Sequence, residues 1–219
     1  MPRRILLALI MVVMSMEGLV MAKEKEIILP QPITKGKVSL EEAIFKRRSQ
    51  REFKRKDLSL EQIGQLLWAA QGITAKRGGF NFRAAPSAGA LYPLELYALT
   101  KDGLYHYIPE GHKLENLSGK DLRGDLADAA LGQGSVASGA LDIVICAVYE
   151  RVTSKYGQRG VRYVHIEAGH AAQNIHLQAV ALGLASVPIG AFNDDAVKKC
   201  LSLPVACEPL YIIPIGYSE

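Results

Sequence analysis

The sequence predicts an α+β fold, a mainly antiparallel sheet with helices packed around it, on two observations. Strand-like and helix-like runs interleave irregularly rather than alternating one for one, as a parallel α/β chain would. Lys101-Asp102-Gly103 separates the runs LELYALT and LYHYI, and Asp-Gly between two such runs marks a hairpin. The chain has 219 residues, 49% hydrophobic, which suits one domain or a compact domain with an appendage. Charged residues make up 22% and the formal net charge is only +4, so the totals lack the basic footprint of a nucleic-acid binder.

The first residues, MPRRILLALIMVVMSMEGLVMAKEK, have a basic start at Arg3 and Arg4, an apolar run from Ile5 to Met16, and small or apolar residues at Val20 and Ala22. That is the layout of a signal peptide over residues 1–22, giving an exported protein, periplasmic or secreted. Glu17 interrupts the apolar run, which is short for a span of about 20 residues, so no stable membrane span is expected after cleavage. The Arg3-Arg4 pair also admits a twin-arginine signal. All five methionines lie in this leader, and translation from Met21 would instead give a cytoplasmic protein.

Residues 23–38 mix charge, proline and glycine and read as an extended arm leading into a domain over residues 39–219. Ser39 to Glu42 spells a capping box, opening a helix from about Leu40 to Arg48. Ser59 to Gln62 spells another, before SLEQIGQLLWAAQG, where Leu60, Ile63, Leu66, Leu67 and Ala70 keep helical spacing and Gly72 is a natural stop. These two helices are expected to face a shared core. The hairpin follows, then a helical segment near Leu122 to Ala130 and an apolar strand from Leu141 to Tyr149. Val161 to Leu182 is the longest helix candidate, small and apolar on most faces and therefore expected to be central and buried. A short strand at Ala185 to Val187, a helix capped by Asn193 and a last strand, EPLYIIPIGY, complete the order.

Cys146, Cys200 and Cys207 show no metal-type spacing. Cys146 reads as a packed thiol in LDIVICAVY. Cys200 and Cys207 can bridge in an exported protein or remain two free thiols. On the long helix, His165, His170 and His176 are five and six apart, so they do not stack on one face, and Glu167 with His170 reads as a satisfied buried polar pair rather than a metal site.

Three segments can carry chemistry, each with a plainer alternative. RRSQR, residues 47–51, joins guanidinium forks to a hydroxyl, the usual chemistry for gripping a phosphate. Arginines at a helix C-terminus also simply favour the negative end of its dipole. In RAAPSAGALYPLELY, the small residues Pro86 to Ala90 let backbone approach a flat ligand, and Pro93 sets the entry to a strand; a tight loop is the alternative. SVPIGAF, residues 186–192, can present backbone N–H groups to a ligand or be an ordinary turn.

In their order, these segments resemble those of the FMN-dependent nitroreductase superfamily: an Arg-Arg-Ser-x-Arg motif, a Pro-Ser loop before a central strand, and a late Pro-Ile turn. APSAGALYPLELY, DGLYHY, KYGQRGVRY, EAGHAAQNIHLQAVALGL and EPLYIIPIGY look most like its SagB-type branch of azoline-oxidising dehydrogenases, which make thiazoles and oxazoles in modified peptides. The likeness covers roughly Leu40 to Tyr217 and implies a nitroreductase-like fold and an intertwined homodimer whose FMN sites draw on both chains.

It further implies that Arg47, Arg48, Ser49 and Arg51 hold the FMN phosphate and ribityl chain, and that Pro86, Ser87, Ala88 and Gly89 lie along the isoalloxazine. Pro188, Ile189, Gly190 and Ala191 would offer N–H groups toward flavin N5 and O4, and Gln133 would touch the pyrimidine end. Two departures stand out. Gly190-Ala191 replaces the acidic residue and glycine that many members carry, and the chain stops at Ser218-Glu219, without the basic tail that helps clamp the phosphate, which places more weight on RRSQR.

Lys155-Tyr156 resembles the pair proposed to act in azoline oxidation, the lysine as base and the tyrosine as relay; a surface lysine beside a packing tyrosine is the alternative. Arg159 and Arg162 can recognise a carboxylate or phosphate. The expected activity is transfer of a hydride or two electrons between a donor such as NAD(P)H and a small organic acceptor. Azoline dehydrogenation of a peptide, or electron carriage without a substrate of its own, are the other readings.

Overall fold

The computed structural model describes residues 25–218; the leader assigned to residues 1–22 lies outside them. In chain order the elements are β1 (Glu26–Ile28), α1 (Leu40–Lys46), β2 (Phe53–Lys54), α2 (Leu60–Gln71), β3 (Ile73–Arg77), β4 (Phe80–Arg83), a 3-10 turn at Ala88–Ala90, β5 (Leu94–Thr100), β6 (Gly103–Ile108) and β7 (Lys113–Ser118). There follow α3 (Arg123–Ala129), α4 (Gly134–Ser138), β8 (Leu141–Ala147), α5 (Glu150–Tyr156), α6 (Arg159–Ala181), β9 (Ala185–Ser186), α7 (Asp194–Leu201) and β10 (Glu208–Ser218). The fold is α+β around a central sheet ordered β1-β7-β6-β5-β8-β10-β2, with β9 on β10 and every strand pair antiparallel; β3 and β4 form a separate hairpin.

The pleat explains how one strand serves two cores. Along β8, Leu141, Ile143, Ile145 and Ala147 join one hydrophobic cluster, while Val144 and Cys146 join the other. The first cluster is closed by α2 (Ile63, Leu66, Leu67, Ala70) and α6 (Val164, Ala168, Ala171, Ala172, Ile175, Ala179). The second is closed by α3, α4 and α7 through Leu126, Val136, Val197 and Leu201. Because both faces are covered, β8 is buried along its whole length and, apart from Asp142, reads as a continuous apolar run rather than an alternating one.

The two N-terminal helices behave differently. In α2 the capping box of Ser59 and Gln62 is complete and eight residues are buried. In α1, Ser39 accepts from the Glu42 N–H at 3.1 Å, but the Glu42 carboxylate pairs with Lys46 at 2.6 Å instead of reaching back. α1 lies on α6, buries Ala43, and leaves Leu40, Ile44 and Phe45 exposed, so the shared core expected of the two helices is not formed. The helix also ends two residues short of Arg48: Arg47 turns extended at ψ 121°, and the Arg48 guanidinium folds back on the carbonyls of Phe45 and Arg47 at 3.0 and 2.7 Å.

The long helix α6 is central but not buried all round. Gly160, Val164, Glu167, Ala168, Ala171, Ala172, Ile175, His176 and Ala179 face inward, whereas Arg162, His165, Ile166, Gly169, His170 and Gln173 are exposed. Small residues make both faces look alike in sequence, yet a single chain covers one. The arm folds as part of the domain: β1 pairs with β7, and Gln65 exchanges hydrogen bonds with both the N–H and the carbonyl of Ile33 at 2.8 and 3.0 Å. Cys146, Cys200 and Cys207 are all free, and Cys207 sits against Cys146 and Tyr97 rather than Cys200.

Candidate functional site

RRSQR and SVPIGAF, far apart in sequence, meet through backbone. Ser49 forms a parallel bridge with Ser186, and the Gln50 N–H donates to the Ser186 carbonyl at 3.1 Å. His176, on the inner face of α6, shares a 2.7 Å hydrogen bond between Nδ1 and the Ser186 hydroxyl, which fixes the strand carrying the turn. Burial, with the nearby Arg47 charge, pushes the His176 pKa down to about 4, so the ring is neutral. Arg47 is half-buried, while Ser49 and Arg51 are exposed. Arg48 differs from its neighbours because the helix end already occupies its guanidinium.

In the late turn, the Ile189 N–H is taken by the Ile212 carbonyl at 2.8 Å and Pro188 has none to give. That leaves Gly190 and Ala191, both exposed, as the turn's N–H donors. Gln133 buttresses this turn: its amide donates to the Ala191 carbonyl at 2.8 Å and the Ala130 carbonyl at 2.9 Å, leaving its oxygen as the group free to meet a ligand. RRSQR, Gln133 and the late turn thus form one cluster.

The Pro-Ser loop belongs to a second cluster. Ser87 accepts the Tyr92 N–H at 2.9 Å, and the Tyr92 hydroxyl accepts the Arg83 N–H at 3.1 Å. Tyr92 is held again from α5, where Arg151 donates to its carbonyl at 3.1 Å and pairs with Glu95. Gly89 takes φ +64°, and a Cβ there would meet the Tyr156 hydroxyl at 2.8 Å and Lys155 Nζ at 3.0 Å. Bare backbone is what lets the loop press against the Lys155-Tyr156 pair. Tyr156 is braced edge-on by Tyr163 at 5.2 Å, and Lys155 is exposed.

Glu167 underlies the same loop, where the sequence pattern had paired it with His170. His170 is exposed, while Glu167 is buried beside the Ser87 hydroxyl and the Gln71 amide. Burial raises its pKa to about 7. Neither this contact nor His176–Ser186 is legible in sequence, because each joins α6 to a loop or strand by tertiary packing. Among the described residues no group of three or more His, Cys, Asp or Glu is placed to hold a metal, and no helix is long and apolar enough to cross a membrane.

A model described as "Nitroreductase family" matches residues 44–217, and the chain belongs to that family. It is 42% identical over 185 residues to the Methanocaldococcus jannaschii protein named "Putative nitroreductase MJ1384", covering 82% of this chain and 91% of that one. It is more distantly related to the microcin B17-processing protein McbC of Escherichia coli, 29% identical over 158 residues, 67% of this chain and 57% of McbC.

Among solved structures, a Ralstonia eutropha protein of the same description as the first relative superposes with TM-score 0.78 at 31% identity, covering 90% of each chain. The NADPH:FMN oxidoreductase of Vibrio harveyi complexed with NAD+ shares the fold, with TM-score 0.62 at 23% identity, covering 82% of this chain and 69% of that one.

Proposed function

We propose that the protein is an FMN-dependent oxidoreductase, moving a hydride or two electrons between a donor such as NAD(P)H and a small organic acceptor. We further infer a homodimer in which each FMN lies between one chain's RRSQR cluster and the other chain's Pro-Ser loop. One observation carries this reading. The two clusters rest on His176 and Glu167 of the same helix, nine residues apart, a rise of about 13 Å and about half a turn around its axis. Set on different sides of the helix, the two clusters close on one flat ligand when two copies pair.

The residues fit the group. Arg47, Ser49 and Arg51 supply cations and a hydroxyl for a phosphate, Gly190 and Ala191 supply open N–H donors for a ring edge, and Pro86 to Gly89 supply small residues and bare backbone for a ring face. Bound FMN supplies hydride acceptance and donation; the chain's part is to hold it, orient it and exclude water. Leu40, Ile44 and Phe45 of α1 and Ile166 of α6 are exposed apolar side chains that a second copy would cover.

A second reading, azoline dehydrogenation of a modified peptide, is favoured by one feature. Lys155 Nζ and Tyr156 Oη converge on Gly89, where a base and a relay would face a substrate lying over the loop. The kinship with McbC points the same way.

The test is anaerobic reduction of FMN-loaded protein by NADH and NADPH, with quinones, nitroaromatics and a thiazoline-bearing peptide then added singly. Turnover of small acceptors supports the first reading. Loss of two mass units from the peptide, abolished by Lys155→Ala, supports the second. Stable FMN without turnover makes the protein an electron carrier, and a folded protein that binds no FMN overturns all three.

A further inference from the structure

The Pro-Ser loop leads into a strained stretch of backbone. Three of the four residues from Gly89 to Tyr92 are left-handed: Gly89 at φ +64°, Ala90 at +54° and Tyr92 at +47°. Leu91, at φ −88°, is right-handed. Ala90 and Tyr92 carry side chains that disfavour the left-handed region, so the shape persists because its surroundings hold it. Tyr92 is held from several directions. Its N–H donates to Ser87 Oγ at 2.9 Å, its hydroxyl accepts the Arg83 N–H at 3.1 Å, and the Arg83 guanidinium lies over its ring at 4.7 Å. Those holds come from β4 and the loop itself. A further one comes from α5, where Arg151 Nη1 donates to the Tyr92 carbonyl at 3.1 Å.

We propose that Arg151 is a positioning residue: it locks the left-handed Tyr92 backbone to α5, and thereby sets how a flavin ring lies on the Pro-Ser loop beside Lys155-Tyr156. The inference rests on the FMN reading above. The Arg151 fork is aimed at two acceptors at once. Nη1 serves Tyr92, while Nη2 pairs with Glu95 of β5, in the central sheet. Glu95 is itself fixed, because its other oxygen accepts from His106 Nε2 of β6 at 2.7 Å, and the His106 ring stacks on Tyr97 at 4.9 Å. The guanidinium is planar and rigid, so Nη1 cannot swing away from Tyr92 without also disturbing the pair with a carboxylate that is 18% exposed.

The short helix α5 needs such a tie on its loop side. Of its seven residues, Val152 is the buried one. Its α6 side is close-packed through bare backbone: a Cβ at Gly160 would meet the backbone of Val152 and Thr153 at 3.0 Å. Arg151 supplies the hold on the loop side, and Lys155 follows it by four residues, about one helical turn, on the same face. The helix thus meets the loop twice, at Tyr92 through Arg151 and at Gly89 through Lys155 and Tyr156. Loss of the first contact leaves the second free to shift.

The experiment compares the wild type with Arg151→Ala and Arg151→Lys. Each is titrated with FMN by flavin fluorescence quenching, and the bound flavin is then recorded by visible circular dichroism. That second signal reports the asymmetric surroundings of the ring, and a loss of global stability alone does not move it. Arg151→Ala should bind FMN about three- to tenfold more weakly, the worth of one hydrogen bond, and should change the visible signal of the flavin that remains bound. Arg151→Lys keeps the charge but cannot serve both acceptors with one planar fork, and should fall short of the wild type in both readouts.

Wild-type affinity in Arg151→Ala, weaker binding with an unchanged visible signal, or full recovery by Arg151→Lys overturns the proposal. If Arg151→Ala does not fold by far-ultraviolet circular dichroism, Arg151→Lys decides: wild-type affinity and signal in that variant are equally fatal. Failure of the folded wild type to bind FMN overturns the FMN reading itself, which keeps the two failures distinguishable.

Discussion

Glu167 and His176 stand at opposite edges of the buried face of α6, one near Ser87 and the other hydrogen-bonded to Ser186, so a single helix braces both halves of the proposed site. Their titrations oppose each other. His176 has a folded pKa lowered to about 4 from 6.5, so its contribution is complete above 6.5 and is lost as pH falls toward 4. Glu167 is raised from 4.5 to about 7, so stability is greatest below 4.5 on its account and falls as pH rises toward 7. Each shift is worth roughly 3 kcal/mol at most, and the two offset between pH 5 and 6.5. Glu167→Gln should therefore gain stability relative to wild type as pH rises from 4.5 to 8, measured by urea unfolding at each pH. A pH-independent difference contradicts this.

The arginines of RRSQR should separate by role. Arg47→Ala is expected to weaken FMN binding tenfold or more, as loss of a charge-assisted phosphate contact does, while Arg55→Ala just outside the motif stays within about twofold. Arg48→Ala should instead cost stability, about 0.5–1 kcal/mol, since its guanidinium serves the carbonyls of Phe45 and Arg47. Equal effects of Arg47→Ala and Arg55→Ala on binding would return the cluster to a plain helix end.

Gly89 and Gly78 share a left-handed backbone, φ +64° and +58°, but differ in surroundings. An alanine methyl at 89 would run into Tyr156 Oη and Lys155 Nζ, whereas one at 78 would meet nothing within 4 Å. Both substitutions should cost about 1 kcal/mol in backbone strain. Gly89→Ala alone is expected to impair flavin binding and turnover, measured by fluorescence titration and steady-state kinetics.

Gln133→Ala removes the two amide hydrogen bonds that tie the Ala191 carbonyl to that of Ala130. Loosening of the late turn should lower FMN affinity about three- to tenfold with an unfolding cost near 1–2 kcal/mol. Gln133→Glu, which keeps the shape and loses the donor, should behave like the alanine variant.

What the sequence made legible follows from locality. Ser59–Gln62, Asp102–Gly103 and Asn193 carry their instructions within a few residues, and the helix, hairpin and cap stand where those residues place them. The β3–β4 hairpin around Gly78-Gly79 and the strand β7 are not legible in sequence, because charged and polar residues such as Lys76, Arg77 and Asn116 blur the alternation on which strand reading depends. The open side of α6 was hidden by its small residues. At the site, the order of the three segments was readable, but their division into two clusters depends on Ser49 meeting Ser186 and on Gly89 meeting Tyr156.

The claim that each flavin is held by two chains is tested most directly by complementation. Arg47→Ala damages one cluster and Gly89→Ala the other, and each homodimer should be flavin-poor. Co-expressed with different tags and purified through both, the mixed dimer pairs one intact RRSQR cluster with one intact Pro-Ser loop, and should recover one tightly bound FMN per two chains. A mixed dimer as flavin-poor as its parents would place each site within a single chain and contradict the account.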